Sequence, residues 1–152
     1  TNPYTGVAAI FCGRMLDNQP PLIYEDGQQT RDFVHVSDVV QACRLAMSSP
    51  AADYQVFNVG TGRPISVMEV AEVLARELGF SGPPRVVRQF RAGDIRHCFA
   101  DVRRIHQTLG YTPSRAFEHG VRELVEWVRE QRQLGRGAPD AHAQLAAHGL
   151  VR

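Results

Sequence analysis

The stretch QTRDFVHVSDVVQACRLAM, residues 29–47, runs from one kind of regular structure straight into another. From about Arg31 to Val36 it carries aromatic and β-branched residues and reads as a strand. Ser37 can then cap a helix bearing Val39, Val40, Cys43 and Met47, which stops at Ser48-Ser49-Pro50. The same alternation extends outward on both sides. Upstream, residues 5–16 set Val7, Ile10, Phe11 and Met15 on one helical stripe, ended by Asp17-Asn18 and Pro20-Pro21. A short strand, Leu22-Ile23-Tyr24, and an Asp26-Gly27 turn lead into the quoted stretch.

Downstream, Tyr54 to Val59 reads as a strand. Ser66 and Glu69 make a capping box for a helix with Val67, Val70, Ala71, Leu74 and Leu78 at helical spacing, closed by Gly79. Arg85 to Gln89 is a further strand. Asp101 can cap a short helix with Ile105 and Leu109 inward and Gly110 at its end, and Ser114 opens a longer one bearing Phe117, Val121, Leu124, Val125 and Val128. Alternation of this kind predicts an α/β or α+β fold. From Gln133 the pattern changes: Gly135, Gly137 and Pro139 form a linker, and an alanine-rich helix runs from Pro139 to Gly149.

Composition narrows the chemistry. At 152 residues, 43% hydrophobic and 22% charged, the chain has enough material for one domain with a core. It lacks an 18-residue apolar run and the pattern of a signal peptide, so it is expected to contact no membrane and to be cytoplasmic. Cys12, Cys43 and Cys98 are odd in number and widely spaced, which argues against a disulfide framework or a zinc ribbon; all three are expected to be reduced core residues, and no metal is expected. All 17 basic residues are arginine. Without lysine there is no Schiff-base former and no phosphate-loop lysine, so any anion must be met by arginine forks, histidines or backbone amides. A net charge of +1 makes nucleic acid a poor partner.

Two segments pair arginine with aspartate: Arg31-Asp32 in QTRDFVHVSD, and Arg91 with Asp94 in FRAGDIRH, where Gly93 lets the backbone turn. Guanidinium groups bind phosphate through two hydrogen bonds, and a carboxylate can accept both hydrogen bonds of a vicinal diol. One or two arginines and a carboxylate would suit a nucleoside diphosphate. Surface ion pairs, Arg31 with Asp32 and Asp94 with Arg96, explain the same residues. Gly60-Thr61-Gly62 after a strand imitates a dinucleotide loop, but the third glycine position is Ile65, and Pro64 and the cap at Ser66 start the helix too late for its amides to reach a pyrophosphate. A turn needing left-handed backbone angles is the better reading.

The order NPYTG, IYEDG-x-Q-x-RDFVHVSDV, FNVGTG-x-x-x-SV, FRAGD and ADVRR-x-x-x-x-LGY-x-P resembles the C-terminal half of extended short-chain dehydrogenase/reductase enzymes. It is most similar to their nucleotide-sugar epimerase and dehydratase branch, relatives of UDP-glucose 4-epimerase, and the resemblance runs from Thr1 to about Arg132. It implies an α/β substrate-binding lobe over residues 1–132, lacking most of the N-terminal Rossmann domain, with 133–152 as linker and short helix. It also implies that Arg31 and Arg91 grip the diphosphate of a UDP or dTDP sugar and that Asp94 holds the ribose hydroxyls. By the same resemblance Tyr24 is expected to pack beside the base, with Asn58 a weaker candidate for the same pocket. His35 and Asp38 are more often structural in such settings.

The departures matter as much. Such enzymes bind NAD on a glycine-rich N-terminal half and use a Tyr-x-x-x-Lys pair; this sequence has no Gly-x-x-Gly-x-x-Gly loop and no lysine. The chain opens TNPYTG without an initiator Met and is expected to be a fragment, inactive by itself. Residues 37–60 are expected to pack on the missing N-terminal half, and its absence to uncover Val39, Val40, Cys43, Val56 and Val59 and promote self-association. The alternative is a stand-alone, non-catalytic nucleotide-sugar-binding or interaction module.

Overall fold

The computed structural model describes residues 6–90, 93–133 and 146–147. They form two compact units, each assembled from separated stretches of sequence. The first takes the chain up to Gln29, Ser66–Arg96 and the chain from Val121; the second takes Thr30–Ile65 and His97–Gly120.

In the first unit, α1 (Val7–Leu16) buries Phe11, Cys12 and Met15, and packs on α3 (Val67–Leu78). The α3 helix forms because both its ends are specified locally. Ser66 Oγ accepts from the Glu69 amide while Glu69 reaches back to the Ser66 amide at 2.8 Å, and Gly79 closes the helix in the left-handed conformation at φ 70°. Val70 and Leu74 are fully buried, and from the last helix, α5 (Phe117–Gln133), Val121 and Val125 are buried too. Strands β1 (Leu22–Ile23) and β4 (Arg85–Val86) pair in parallel. Parallel neighbours need a long crossover, and α3 lies within it. Further bonds extend the pairing: the Val87 amide donates to the Ile23 carbonyl at 2.9 Å and the Glu25 amide to the Gln89 carbonyl at 2.7 Å.

In the second unit, β2 (Thr30–Arg31) pairs in parallel with β5 (His97–Cys98). The helices are α2 (Val36–Ser48) and α4 (Arg103–Leu109), with a short 3-10 turn at Pro50–Ala52. Their core is small: Ala42, Ile105, Leu109 and Tyr111, with Leu45, Ala46, Phe57, Val59 and Val102 against them. Tyr111 is buried and its hydroxyl donates to the Gly60 carbonyl at 2.9 Å. The Phe33 and Phe117 rings meet at a centroid distance of 4.9 Å. A two-residue strand, β3 (Ile65–Ser66), leads directly into α3.

Several expectations change. The strand after Gln29 has only Thr30 and Arg31 in its ladder, and α2 starts at Val36 because the cap is His35, whose Nδ1 accepts from the Ser37 amide at 3.2 Å. Ser114 precedes α5 by three residues, whereas Asp101, one residue before the N-cap position, does cap α4, its Oδ1 accepting from the Arg103 amide at 3.0 Å. The segment Tyr54–Val59 is no strand. Tyr54 is left-handed at φ 57°, and residues 55–59 keep the alternation of a strand, Phe57 and Val59 inward and Val56 and Asn58 outward, without a described ladder partner. Of the cysteines only Cys12 is buried; Cys43 and Cys98 are exposed, and all three are free. The expected tail helix from Pro139 lies outside the described residues apart from Ala146 and Ala147, which are helical.

Candidate functional site

The first unit carries a groove at the end of its parallel strand pair. Its volume is about 750 Å³, and Glu25, Asp26, Val86, Arg88, Phe90 and Arg96 line it. The turn that follows β1 builds one wall. Tyr24, half-buried, has its carbonyl held by Gln29 Nε2 at 3.0 Å and by the Gly27 amide at 3.3 Å. Asp26 accepts from the Gln28 amide, and Gly27, at φ 81°, turns the chain. Glu25 and Arg88 both adopt left-handed backbone, at φ 53° and 56°. That conformation costs a residue with a Cβ roughly 1–2 kcal/mol, so two such residues on one groove mark a shape maintained by its surroundings.

The groove's charges are arranged in pairs. One nitrogen of Arg96 donates to Glu25 at 2.6 Å and another to Asp26 at 2.7 Å. The hydrogen bond from Arg96 holds the Asp26 carboxyl below the ordinary aspartate range, and Asp26 and Glu25 in turn raise the guanidinium's own pKa. Asp94 is exposed, accepts from the Ile95 amide at 3.0 Å, and follows Gly93 at φ 78°. Arg91 lies outside the described residues.

Arg31 and Asn58 belong to the second unit. Arg31 is half-buried on β2, and its Nη1 donates to the Thr30 carbonyl at 2.8 Å. Asn58 is exposed, with Nδ2 3.5 Å from the Asp101 carbonyl. Next to Arg31, the Asp32 carboxylate is a hub. It accepts from the Thr61 hydroxyl at 2.6 Å and from the amides of Thr61, Gly62 and Ala100 at 2.9–3.1 Å. Burial pushes its carboxyl up, but the hydrogen bonds from Thr61, Ala100 and Gly62 outweigh burial and leave it below the ordinary value. Gly60 is required where the loop passes the hub: a Cβ there would lie 2.5 Å from Asp32 Oδ2 and 2.6 Å from Ala100 Cβ.

Asp38 plays a similar part at the start of α2. It is buried and accepts from the Ser114 amide at 3.0 Å, the Ser114 hydroxyl at 2.8 Å and the Arg115 amide at 3.2 Å. These bonds outweigh burial, again leaving a lowered pKa. Asp38 and His35 are therefore accounted for by structural bonds. Of the residues singled out in the sequence, Tyr24 and Asp94 thus sit in the first unit, Arg31 and Asn58 in the second. Arg88, Phe90 and the Glu25–Asp26–Arg96 cluster are additions that the structure makes. Their only sequence signal is a turn and a local Asp94–Arg96 spacing, which says nothing of partners about 70 residues away.

The family described as GDP-mannose 4,6 dehydratase matches residues 5–124. The chain belongs to this family. Named relatives include nucleotide-sugar epimerases and a dehydratase. The dTDP-L-rhamnose 4-epimerase of Burkholderia thailandensis is 33% identical over 86% of this chain and 36% of its own length. UDP-glucose 4-epimerase from Thermotoga maritima, solved with UDP-glucose, is 37% identical with a TM-score of 0.77, over 86% of this chain and 42% of that one. MoeE5, solved with UDP-glucuronic acid and NAD, is 35% identical with a TM-score of 0.72, over 86% and 43%. The chain thus spans about two fifths of the length of these family members.

The loop at residues 60–62 does not fit the phosphates of a dinucleotide. It reads Gly60-Thr61-Gly62, and the Thr61 and Gly62 amides are spent on the carboxylate of Asp32. An oriented pair of amides can bind one anion, and here the chain supplies it. Among the described residues no group of three His, Cys, Asp or Glu side chains could hold a metal ion, and no helix is long and apolar enough to cross a membrane.

Proposed function

We propose that this chain is the nucleotide-sugar-binding portion of an NAD-dependent sugar epimerase or dehydratase, and that the cofactor and the proton-transfer groups are supplied by polypeptide beyond these 152 residues. The observation that carries the reading is family membership combined with an open groove in the first unit, lined by an aromatic ring and guanidinium groups. Phe90 lines the groove and offers a face for a base, with Tyr24, which precedes Glu25 of the lining, as a second candidate; Asp94, beside the left-handed Gly93, offers a carboxylate for ribose hydroxyls. Arg31 and Arg91 supply forks for the diphosphate. Asn58 is a weaker contact. The relatives bind UDP and dTDP sugars by name, so both bases are candidates. The two epimerases among these relatives are enzymes by name, which favours this reading over a stand-alone binding module.

The chain's own residues bind and orient; none of them is assigned a part in hydride transfer. The loss of either arginine leaves diphosphate charge without its fork. In a polypeptide extended to the length of its relatives, Arg31→Ala and Arg91→Ala should each weaken UDP or dTDP binding roughly tenfold to a hundredfold, from charge-assisted hydrogen bonds of about 1.5–3 kcal/mol. Titration calorimetry measures it, and unchanged affinity in both variants would overturn the assignment. Lysine at either position should restore only part, since it lacks the planar fork.

A further inference from the structure

We propose that Arg96 is a positioning residue for the nucleotide groove: its guanidinium, shared between Glu25 and Asp26, holds the turn after Tyr24 in its left-handed form and neutralises two carboxylates that would otherwise face an anionic ligand. The inference deepens the nucleotide-binding reading and rests on it.

Three observations converge. First, one planar fork meets two carboxylates at 2.6 and 2.7 Å, bridging segments 71 and 70 residues apart. An arginine can satisfy both at once, where lysine would offer a point charge. Second, the residue it holds, Glu25, has φ 53°, and Arg88 opposite has φ 56°; residues with a Cβ adopt such angles rarely, and here two share one groove. The Glu25 amide still donates to the Gln89 carbonyl at 2.7 Å, so the left-handed turn is coupled to the far wall. Third, the groove's described charges are two carboxylates, Glu25 and Asp26, against two guanidiniums, Arg88 and Arg96. Without Arg96 the balance turns negative, which a diphosphate would oppose.

The ordinary alternative is a solvated surface ion pair. Arg96 and Asp26 are 45% and 55% exposed, and pairs of that kind add little to global stability. The two readings differ in what Arg96→Gln changes. As a positioning residue it should leave the melting temperature of the 152-residue chain within about 2 °C, because exposed pairs contribute little. The Kd for UDP, followed by NMR shifts, should rise roughly three- to tenfold. Amide exchange at Glu25 should quicken about tenfold or more as the local turn opens. Arg96→Lys should fall between the two, and Arg44→Gln on α2 should match the parent chain. Unchanged UDP affinity or unchanged Glu25 exchange in Arg96→Gln overturns the proposal. So does an Arg96→Lys variant that behaves no better than Arg96→Gln, or a large fall in melting temperature. If the parent chain binds no UDP, nucleotide binding by this chain fails, while Glu25 exchange in Arg96→Gln still decides whether the latch exists.

Discussion

The two units distribute polar and apolar residues in opposite ways. The first buries a broad apolar core, with Phe11, Met15, Ile23, Val70, Leu74, Val121 and Val125 inside, and keeps the ion pairs of Arg96 in an open groove. The second has a small apolar core and tucks two carboxylates, Asp32 and Asp38, among its own amides, while Val36, Val40, Met47 and Val56 are 51–87% exposed. The difference shows two ways of fixing a fold. Where apolar area is plentiful, burial supplies the stability and ion pairs can stay in an open groove. Where it is scarce, directed hydrogen bonds to an ionised group hold the loops, each worth more than a neutral one.

Breaking the hub should therefore produce the largest effect. Asp32→Ala strips the Thr61, Gly62 and Ala100 donors of their acceptor and should cost about 2–4 kcal/mol of stability in urea unfolding. Gly60→Ala, which forces a Cβ against Asp32 and Ala100, should cost about 1–3 kcal/mol. No comparable loss should follow from removing either groove carboxylate of the first unit, Glu25 or Asp26; a loss that large from Glu25→Gln would erase the contrast.

The next effect concerns the uncovered valines. Val40 and Val56 are exposed, whereas Val59 of the expected set packs on the core. Exposed apolar side chains favour association, so the isolated chain is expected to self-associate through the second unit. Val40→Glu combined with Val56→Glu should weaken that association about tenfold or more, a change of roughly 1.4 kcal/mol. Sedimentation equilibrium measures it, and a monomeric parent chain would remove the premise.

The smallest effect is one of pH. Asp32 and Asp38 both ionise below the ordinary aspartate value of 3.8 in the folded chain, so the unfolded chain takes up those protons first as pH falls. Their contribution is complete above that value and is lost as pH drops through their lower folded values. Urea midpoints recorded between about pH 5 and pH 2.5 should fall accordingly, and the fall should be shallower in Asp32→Asn.

What can be read in advance follows the reach of each interaction. The α3 helix announces itself because Ser66, Glu69 and Gly79 act within one or two turns. Gly93 beside Asp94 is equally local, and so is the exclusion of a dinucleotide loop at residues 60–62. Asp32 reads on paper as one half of an ion pair, because its partners stand 29 to 68 positions further on. Arg96 finds Asp94 nearby in sequence, while Glu25 and Asp26 lie about 70 residues back. Tyr54–Val59 has strand chemistry, yet a ladder needs a neighbour, and no stretch of its own sequence can announce whether one is present. Cys43 and Cys98 depart from the expectation of burial for a related reason: composition says what a side chain prefers, and the surrounding surface decides whether it is granted.

The Asp32 hub also sets an order of events during synthesis. Its carboxylate meets Thr61 and Gly62 once those residues are made, but the Ala100 amide comes 38 positions after Gly62. At translation speeds of about 5–20 residues per second, the interval is roughly 2–8 s. Throughout it, β2 lacks β5 and the half-made unit must wait with its valines in water. A nascent chain of this design is most exposed to chaperones and proteases while residues 62 to 100 are still leaving the ribosome.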